Sequence, residues 1–380
     1  MLPASERQDN PFRYSEPVAV ADLIDRDAEA TILLERASEG NNSRLMAPRR
    51  FGKTSLLRRA LHDAEREGWA AVYVDFFGVL TLDDIAQRIE RAYAEQLSGR
   101  LASWFSGVRR MLRPTVRAGG GPVPGAVELT VDAQAEPPLL ERLALPRRLH
   151  ERHRQRTLVA FDEFQDVLAT QDRADAIIRS EIQHHADAAS YVFSGSHLGM
   201  MRELFADRRR AFYGQAGPVE LSSLPAEEVA EYIAERFERT GRAVGGALDP
   251  LLDLAGGHPQ RTMLLAHAVW ERTPSGQAAN EETWAAAEDA VARDVHDELR
   301  AIWTSLKPSQ RRVLAAIAEN TQRLYASDRR HGGSRGGAVR SAARALEDRG
   351  EIVPDQAAST GYRVTDPLLA RWVKAGRPET

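Results

Sequence analysis

The chain has 380 residues, 43% of them hydrophobic and 28% charged, with a net charge of −4 and no cysteine. That length supports two or three domains with real cores, and the missing cysteines exclude disulfides and thiolate metal sites. The N-terminus lacks the basic and apolar regions of a signal peptide, and no apolar run approaches a membrane span, so a cytoplasmic protein without membrane contact is expected. The charge is unevenly placed: residues 308–380 hold 13 Arg and Lys against 8 Asp and Glu, which leaves about −9 on the rest.

The chain opens with an irregular lead-in, Asn10-Pro-Phe-Arg-Tyr-Ser-Glu-Pro17, and a helix over Asp27–Ser38. Phe12, Tyr14 and Val18 could pack on a nucleotide base, or Phe12 could be an ordinary core residue. Arg26 could form ion pairs at that edge. A short apolar strand, Arg44–Ala47, and a helix from Ser55 to Ala64 flank Ala47-Pro-Arg-Arg-Phe-Gly-Lys-Thr-Ser55. This is the phosphate-loop pattern G-x-x-x-x-G-K-[ST] with Ala47 in the first glycine position. Strand, loop and helix aim several backbone N–H groups and a helix N-terminus at one spot, which suits a polyphosphate. Pro48, Arg49, Arg50, Phe51, Gly52 and Ser55 would wrap that group. Lys53 would reach its outer phosphates, and the Thr54 hydroxyl would hold Mg²⁺.

Ala70–Asp75 reads as a second strand and Leu82–Leu97 as a helix. Residues 98–137 read as an insertion: a basic, apolar stretch around Trp104, a breaker-rich loop at 118–125, and an alternating strand over Ala126–Asp132. Ordinary packing against the parent domain is favoured for it over a membrane-surface role. After a helix near Leu139–Arg152, the apolar strand 157–162 ends in Asp162-Glu163. Asp162 would reach the metal at Thr54, and Glu163 would polarise an attacking water as the catalytic base. The next strand, 191–195, ends at Ser194-Gly-Ser196-His197. Ser194 and Ser196 could orient the water or merely form a strand-end turn. Arg209, within Arg208-Arg-Arg210, could serve as an arginine finger toward a neighbouring subunit, or the run could be a solvated face. A last strand follows at 217–221. The expected fold class is α/β: a P-loop, doubly wound parallel sheet of strand order 5-1-4-3-2, with an additional strand and a catalytic glutamate.

From Pro225 the chain turns helical, with helices expected at 227–240, 248–254, 259–271 and 281–306. Ala255-Gly-Gly-His-Pro-Gln-Arg261 would place His258 and Arg261 facing out from a helix N-terminus toward the phosphates; a plain capped helix start is the simpler alternative. The C-terminal unit reads as helix (309–319), helix (338–348) and β-hairpin (350–354, 362–366), the winged helix-turn-helix order. Arg340 and Arg344 share a helix face, Arg329, Arg330, His331 and Arg335 flank its start, and Arg363 lies on the wing. Such a cluster suits phosphate contacts with double-stranded DNA. The domains expected are 1–223 (ATPase core), 224–306 (helical lid) and 307–380 (winged helix).

Pro11-Phe12, Pro48-Arg-Arg-Phe-Gly-Lys-Thr-Ser-Leu-Leu57, Val74-Asp-Phe-Phe-Gly78, Phe161-Asp-Glu-Phe-Gln165, Phe193-Ser-Gly-Ser196 and Gly256-Gly-His-Pro259 together resemble the archaeal-type ATPases of the AAA+/STAND group. That group has bacterial members, of which this chain would be one, and is related in layout to Orc/Cdc6-like ATPases. The resemblance spans about residues 10–373. It implies ATP and Mg²⁺ binding through Lys53 and Thr54, hydrolysis by Asp162 and Glu163, a lid contact at Gly256–Pro259, and the C-terminal winged helix. Asp25 departs from the pattern, where related proteins often carry Gly. The expected activity is hydrolysis of ATP to ADP and phosphate, coupled to DNA binding or to homo-oligomerisation. The alternatives are an ATP-gated signalling switch whose C-terminal module binds a protein, and a DNA-binding regulator with a vestigial ATP site.

Overall fold

The computed structural model describes residues 9–16, 18–111, 138–170, 173–320 and 334–376. The expected strand at Ala126–Asp132 and the residues Arg329, Arg330 and His331 lie outside them. The first half runs α1 (Asp27–Ser38), β1 (Ser43–Met46), α2 (Lys53–Arg66), β2 (Ala70–Asp75), α3 (Leu82–Gln96), α4 (Gly99–Met111), α5 (Pro138–Leu143), α6 (Leu145–His153), β3 (Thr157–Asp162), α7 (Ala174–Ile182), β4 (Ala189–Gly195), α8 (Leu198–Ala206) and β5 (Gly217–Glu220). The second half runs α9 (Ala226–Arg239), α10 (Leu248–Ala255), α11 (Pro259–Arg272), α12 (Glu281–Asp294), α13 (His296–Ser305), α14 (Pro308–Ala318), α15 (Ser334–Asp348), β6 (Ile352–Pro354), β7 (Tyr362–Val364) and α16 (Pro367–Lys374).

The five strands form one parallel sheet in the order β2-β3-β4-β1-β5, the expected order read from the other edge. Alternate residues of each strand point to opposite faces. Val159 and Phe161 of β3 therefore join one apolar cluster, while Leu158 and Ala160 join another under α1 and α2. Both faces are covered, which is why the inner strands read as continuous apolar runs. Pro218 sits in β5, at the sheet edge, where a missing N–H costs no ladder bond. The basic, apolar helix α4 packs on the parent domain: Phe105 is buried, its ring 6.0 Å from Tyr93.

Two expected helices are broken. The segment at 139–152 divides at Ala144, because Pro146 lies in the first turn of α6 and fits a helix start better than a helix interior. The segment at 281–306 divides at Val295 without glycine or proline. Val295 is buried, and the break re-aims α13, which carries Glu298. Helices α9–α13 and the unit α14-α15-β6-β7-α16 share one continuous apolar cluster, which also takes in Phe12. Among the described residues no helix is long and apolar enough to cross a membrane.

Candidate functional site

Strand β1 delivers the loop 47–52 to the carboxyl edge of the sheet, and α2 starts at Lys53. Two loop residues have left-handed backbones, Arg50 (φ 65°) and Gly52 (φ 84°). No atom lies within 4 Å of where a Gly52 Cβ would stand, so the protein itself requires glycine there for the dihedral rather than for space. Ala47 has no positive φ and is buried, which explains why alanine serves in the first glycine position. The Lys53 ammonium donates to the carbonyls of Ala47 and Pro48, each at 2.8 Å. Burial pushes it down to about 8, against the opposing pull of Glu163 and Asp162.

Thr54 Oγ1 donates to Asp162 Oδ2 at 2.9 Å, although 108 residues separate them. Tyr73 Oη donates to the same oxygen at 2.8 Å, and the Glu163 N–H donates to Asp162 Oδ1 at 3.0 Å. Burial, then the Asp162 charge, pushes the Tyr73 phenol up, so it remains a donor. The sequence reading missed Tyr73. It stands on β2, whose pairing with β3 sets Asp75 opposite Asp162. Glu163 has φ 47°, and its Oε2 accepts from Gln165 Nε2 (2.6 Å), Ser196 Oγ (2.8 Å) and the Ser196 N–H (3.3 Å). Of the two expected serines, Ser196 touches the glutamate. The Ser194 hydroxyl is instead buried inside β4 without a hydrogen bond, because its residue pairs in register with Leu45 one layer deeper.

A cavity of about 380 Å³ opens over the loop. Its polar end holds Arg49–Ser55 and Glu163; its apolar wall holds Val18, Leu23, Tyr232 and Met263. Tyr14 lines it, but Phe12 does not: that ring is wholly buried 5.4 Å from Phe237, the core alternative. Arg26 also borders the cavity, although its guanidinium is tied to Glu29 (2.9 Å) and the Ser222 carbonyl (2.8 Å). Asp25 and Arg26 have φ of 46° and 128°, so two residues without glycine's freedom carry this turn, the first of them at the position where glycine was expected.

His258 and Arg261, expected to face out from the start of α11, are buried instead. His258 is buried, caps α11 through the Arg261 N–H (3.3 Å), and stands edge-on to Phe51 at 5.1 Å. Burial, only partly offset by Asp366, lowers it to about 4, so it is a neutral ring. Arg261, 1% exposed, points into the junction with the C-terminal unit. It reaches Asp366 at 2.5 and 3.1 Å and Glu298 at 2.9 Å, and Glu298 also accepts from Arg50 at 2.5 Å. The physical reason is that a buried guanidinium needs carboxylates, and Glu298 of α13 and Asp366 at the cap of α16 supply them. Arg209 is solvent-facing and chelates Asp207 of its own turn (2.7 Å).

In the C-terminal unit, Arg340 and Arg344 are exposed on α15 and make no ion pair among the described residues. The Arg335 side chain lies outside the description. Arg363 is engaged: it donates to Ser223 Oγ at 2.9 Å and faces Asp355. The acidic end of α15 docks on the sheet domain, where Arg202 of α8 holds Glu347 (2.8 Å) and Asp348 (2.6 Å). Gly199 is needed for that approach, since a Cβ would stand 2.7 Å from Asp348. The turn at Gly350 lies against Pro48 of the phosphate loop.

No family model matches this chain, and no curated protein matches it in sequence. Solved structures do. A Walker-type ATPase of Pyrococcus abyssi is similar with a TM-score of 0.65 at 18% identity, covering 93% of this chain and 97% of that one. The ORC2 protein of Aeropyrum pernix, solved as ADPNP–ADP complexes, is similar with a TM-score of 0.51 at 17% identity, covering 95% and 97%. With the parallel order β2-β3-β4-β1-β5 and the loop at 47–55, these likenesses identify the fold as the P-loop AAA+ fold.

Proposed function

We propose that the protein is a Mg²⁺-dependent ATPase, a bacterial member of the archaeal-type AAA+/STAND group, working in the cytoplasm. The observation that carries the reading is the meeting of Thr54 Oγ1 and Asp162 Oδ2 at 2.9 Å, beside Glu163 and Lys53. A hydroxyl and a carboxylate are hard oxygen donors of the kind Mg²⁺ takes, with its remaining positions left to water and phosphate. When bound, the metal would neutralise developing charge on the phosphates. Lys53 would exchange its two carbonyl partners for phosphate oxygens. Tyr73 would keep Asp162 oriented, and Glu163 would take the proton of the attacking water. The apolar wall of Val18, Leu23, Tyr232 and Met263 is suited to an adenine ring. Solved relatives of this fold described as a Walker-type ATPase and as ADPNP–ADP complexes support the choice of nucleotide.

The output we assign is coupling of nucleotide state to the C-terminal unit, read as a winged helix (307–380) beyond a core (1–223) and a lid (224–306). Arg50 of the phosphate loop and Arg261 of the lid meet on Glu298, and Arg261 continues to Asp366. DNA is the partner favoured by exposed Arg340 and Arg344. The second reading, a protein partner in place of DNA, is favoured by Arg363 being engaged internally and by Glu347 and Asp348 on the same helix. Arg209 would act as a finger only in a homo-oligomer. The experiment is steady-state ATP turnover beside nucleotide binding. Glu163→Gln should lower turnover by about 10²- to 10⁴-fold while binding persists; unchanged turnover would sink the assignment.

A further inference from the structure

We propose that Gln165 is a positioning residue for hydrolysis: its amide holds one oxygen of Glu163 and leaves the other for the attacking water. The proposal rests on the ATPase reading above. Gln165 Nε2 lies 2.6 Å from Glu163 Oε2 and 3.0 Å from Asp166 Oδ1. Those two carboxylate oxygens decide which end of the amide is nitrogen, since a carbonyl there would face both. With Ser196 on the same Oε2, three donors converge on one oxygen of Glu163, while Oε1 accepts none among the described residues. Glu163 borders the cavity. The anchor is itself anchored: Asp166 Oδ2 accepts from the Gly78 N–H at 2.7 Å, and Phe164, between the two residues, is locked 4.7 Å from Phe193.

Stability alone does not account for this glutamine. It is 4% exposed, and its Oε1 is buried without a hydrogen bond. A half-satisfied buried amide costs stability that an apolar side chain of similar shape would not. The fold also makes room for it, because a Cβ on Gly195 would stand 2.3 Å from Gln165 Oε1. What the amide does in return is orient Glu163.

The test compares wild type, Gln165→Leu and Gln165→Glu for kcat, for affinity toward a fluorescent ATP analogue with Mg²⁺, and for Tm. In Gln165→Leu, kcat should fall about 10- to 100-fold, the cost of a catalytic group misplaced by about 1 Å. Analogue affinity should stay within about twofold of wild type, and Tm separates a lost fold from a lost turnover. Gln165→Glu places a carboxyl against two carboxylates, so it holds a proton more readily than usual. Protonation restores the donor, and kcat of that variant should rise relative to wild type as pH is lowered from about 8 to about 6. The proposal is overturned if Gln165→Leu keeps kcat within about twofold, if affinity falls with kcat, or if the Gln165→Glu profile runs parallel to wild type. A wild type that binds the analogue and never turns over ATP overturns this proposal together with the reading on which it rests.

Discussion

Arg261 and Arg340 carry the same guanidinium in opposite surroundings, and the contrast separates two regions of the molecule. At the junction of the phosphate loop, α11 and the C-terminal unit, Arg261 is buried and paired with Asp366, and it also reaches the half-exposed Glu298, which pairs in turn with the exposed Arg50. On the outer face of α15, Arg340 and Arg344 stand in water unpaired among the described residues. A dry ion pair such as Arg261–Asp366 fails when one member is removed. A wet pair contributes little to folding and stays free for a polyanion. Under the proposed function, the first region would register a nucleotide state and the second would meet a partner.

The largest expected effect breaks the dry side. Arg261→Ala strands the Asp366 carboxylate, and denaturant unfolding should show a loss of about 3–5 kcal/mol. Burial works against the Asp366 carboxylate, yet hydrogen bonds and charge from Arg261 hold it below its ordinary 3.8. That contribution is present above the ordinary value and is lost as pH falls through the lower, folded one. A loss under about 1 kcal/mol would mean the junction is no more rigid than a surface.

Next in size is the lysine of the loop. The free protein loses the Lys53 charge above about 8, whereas a bound triphosphate would hold the proton. Affinity for Mg-ATP should therefore fall about tenfold per pH unit above that point, measured by titration calorimetry. Fold stability has the opposite sign. Between about 8 and 10.5 the unfolded chain binds a proton that the native site lacks, so stability rises with pH in that window. An affinity that is flat from neutral pH upward would show that Lys53 does not hold the phosphates.

The smallest effect on folding belongs to the wet side. Arg340→Glu with Arg344→Glu should change stability by no more than about 0.5 kcal/mol. It should also reduce the slope of log affinity for duplex DNA against log salt by about 0.9 for each phosphate that is no longer neutralised. A wild type that retains no duplex DNA at low salt would decide for a protein partner.

Legibility in the sequence followed the range of the interactions. The loop 47–55, the Asp162-Glu163 tip and the parallel sheet are local or periodic features: a motif, an apolar run that stops at two carboxylates, and the alternation of strands with helices; the strand order followed from the class of phosphate loop those motifs mark. Tyr73, Gln165 and Asp366 carried no such signal. Gln165 was visible as part of Asp-Glu-Phe-Gln but without a task, since its partner choice depends on how the turn after β3 is packed by Phe164. The helix break at Val295 has no breaker residue to announce it and is set by burial.

The loop 47–55 and the Asp162-Glu163 pair could be placed at one sheet edge from the chain alone, because an apolar strand that stops at two carboxylates and a strand–loop–helix motif are local patterns. Where Arg261 points is set by long-range packing. His258 and Arg261 read as outward from the helix N-terminus, yet Arg261 is drawn inward by Asp366, 105 residues away. A buried charge takes whichever carboxylate packing brings within reach, and no local pattern encodes which one that is.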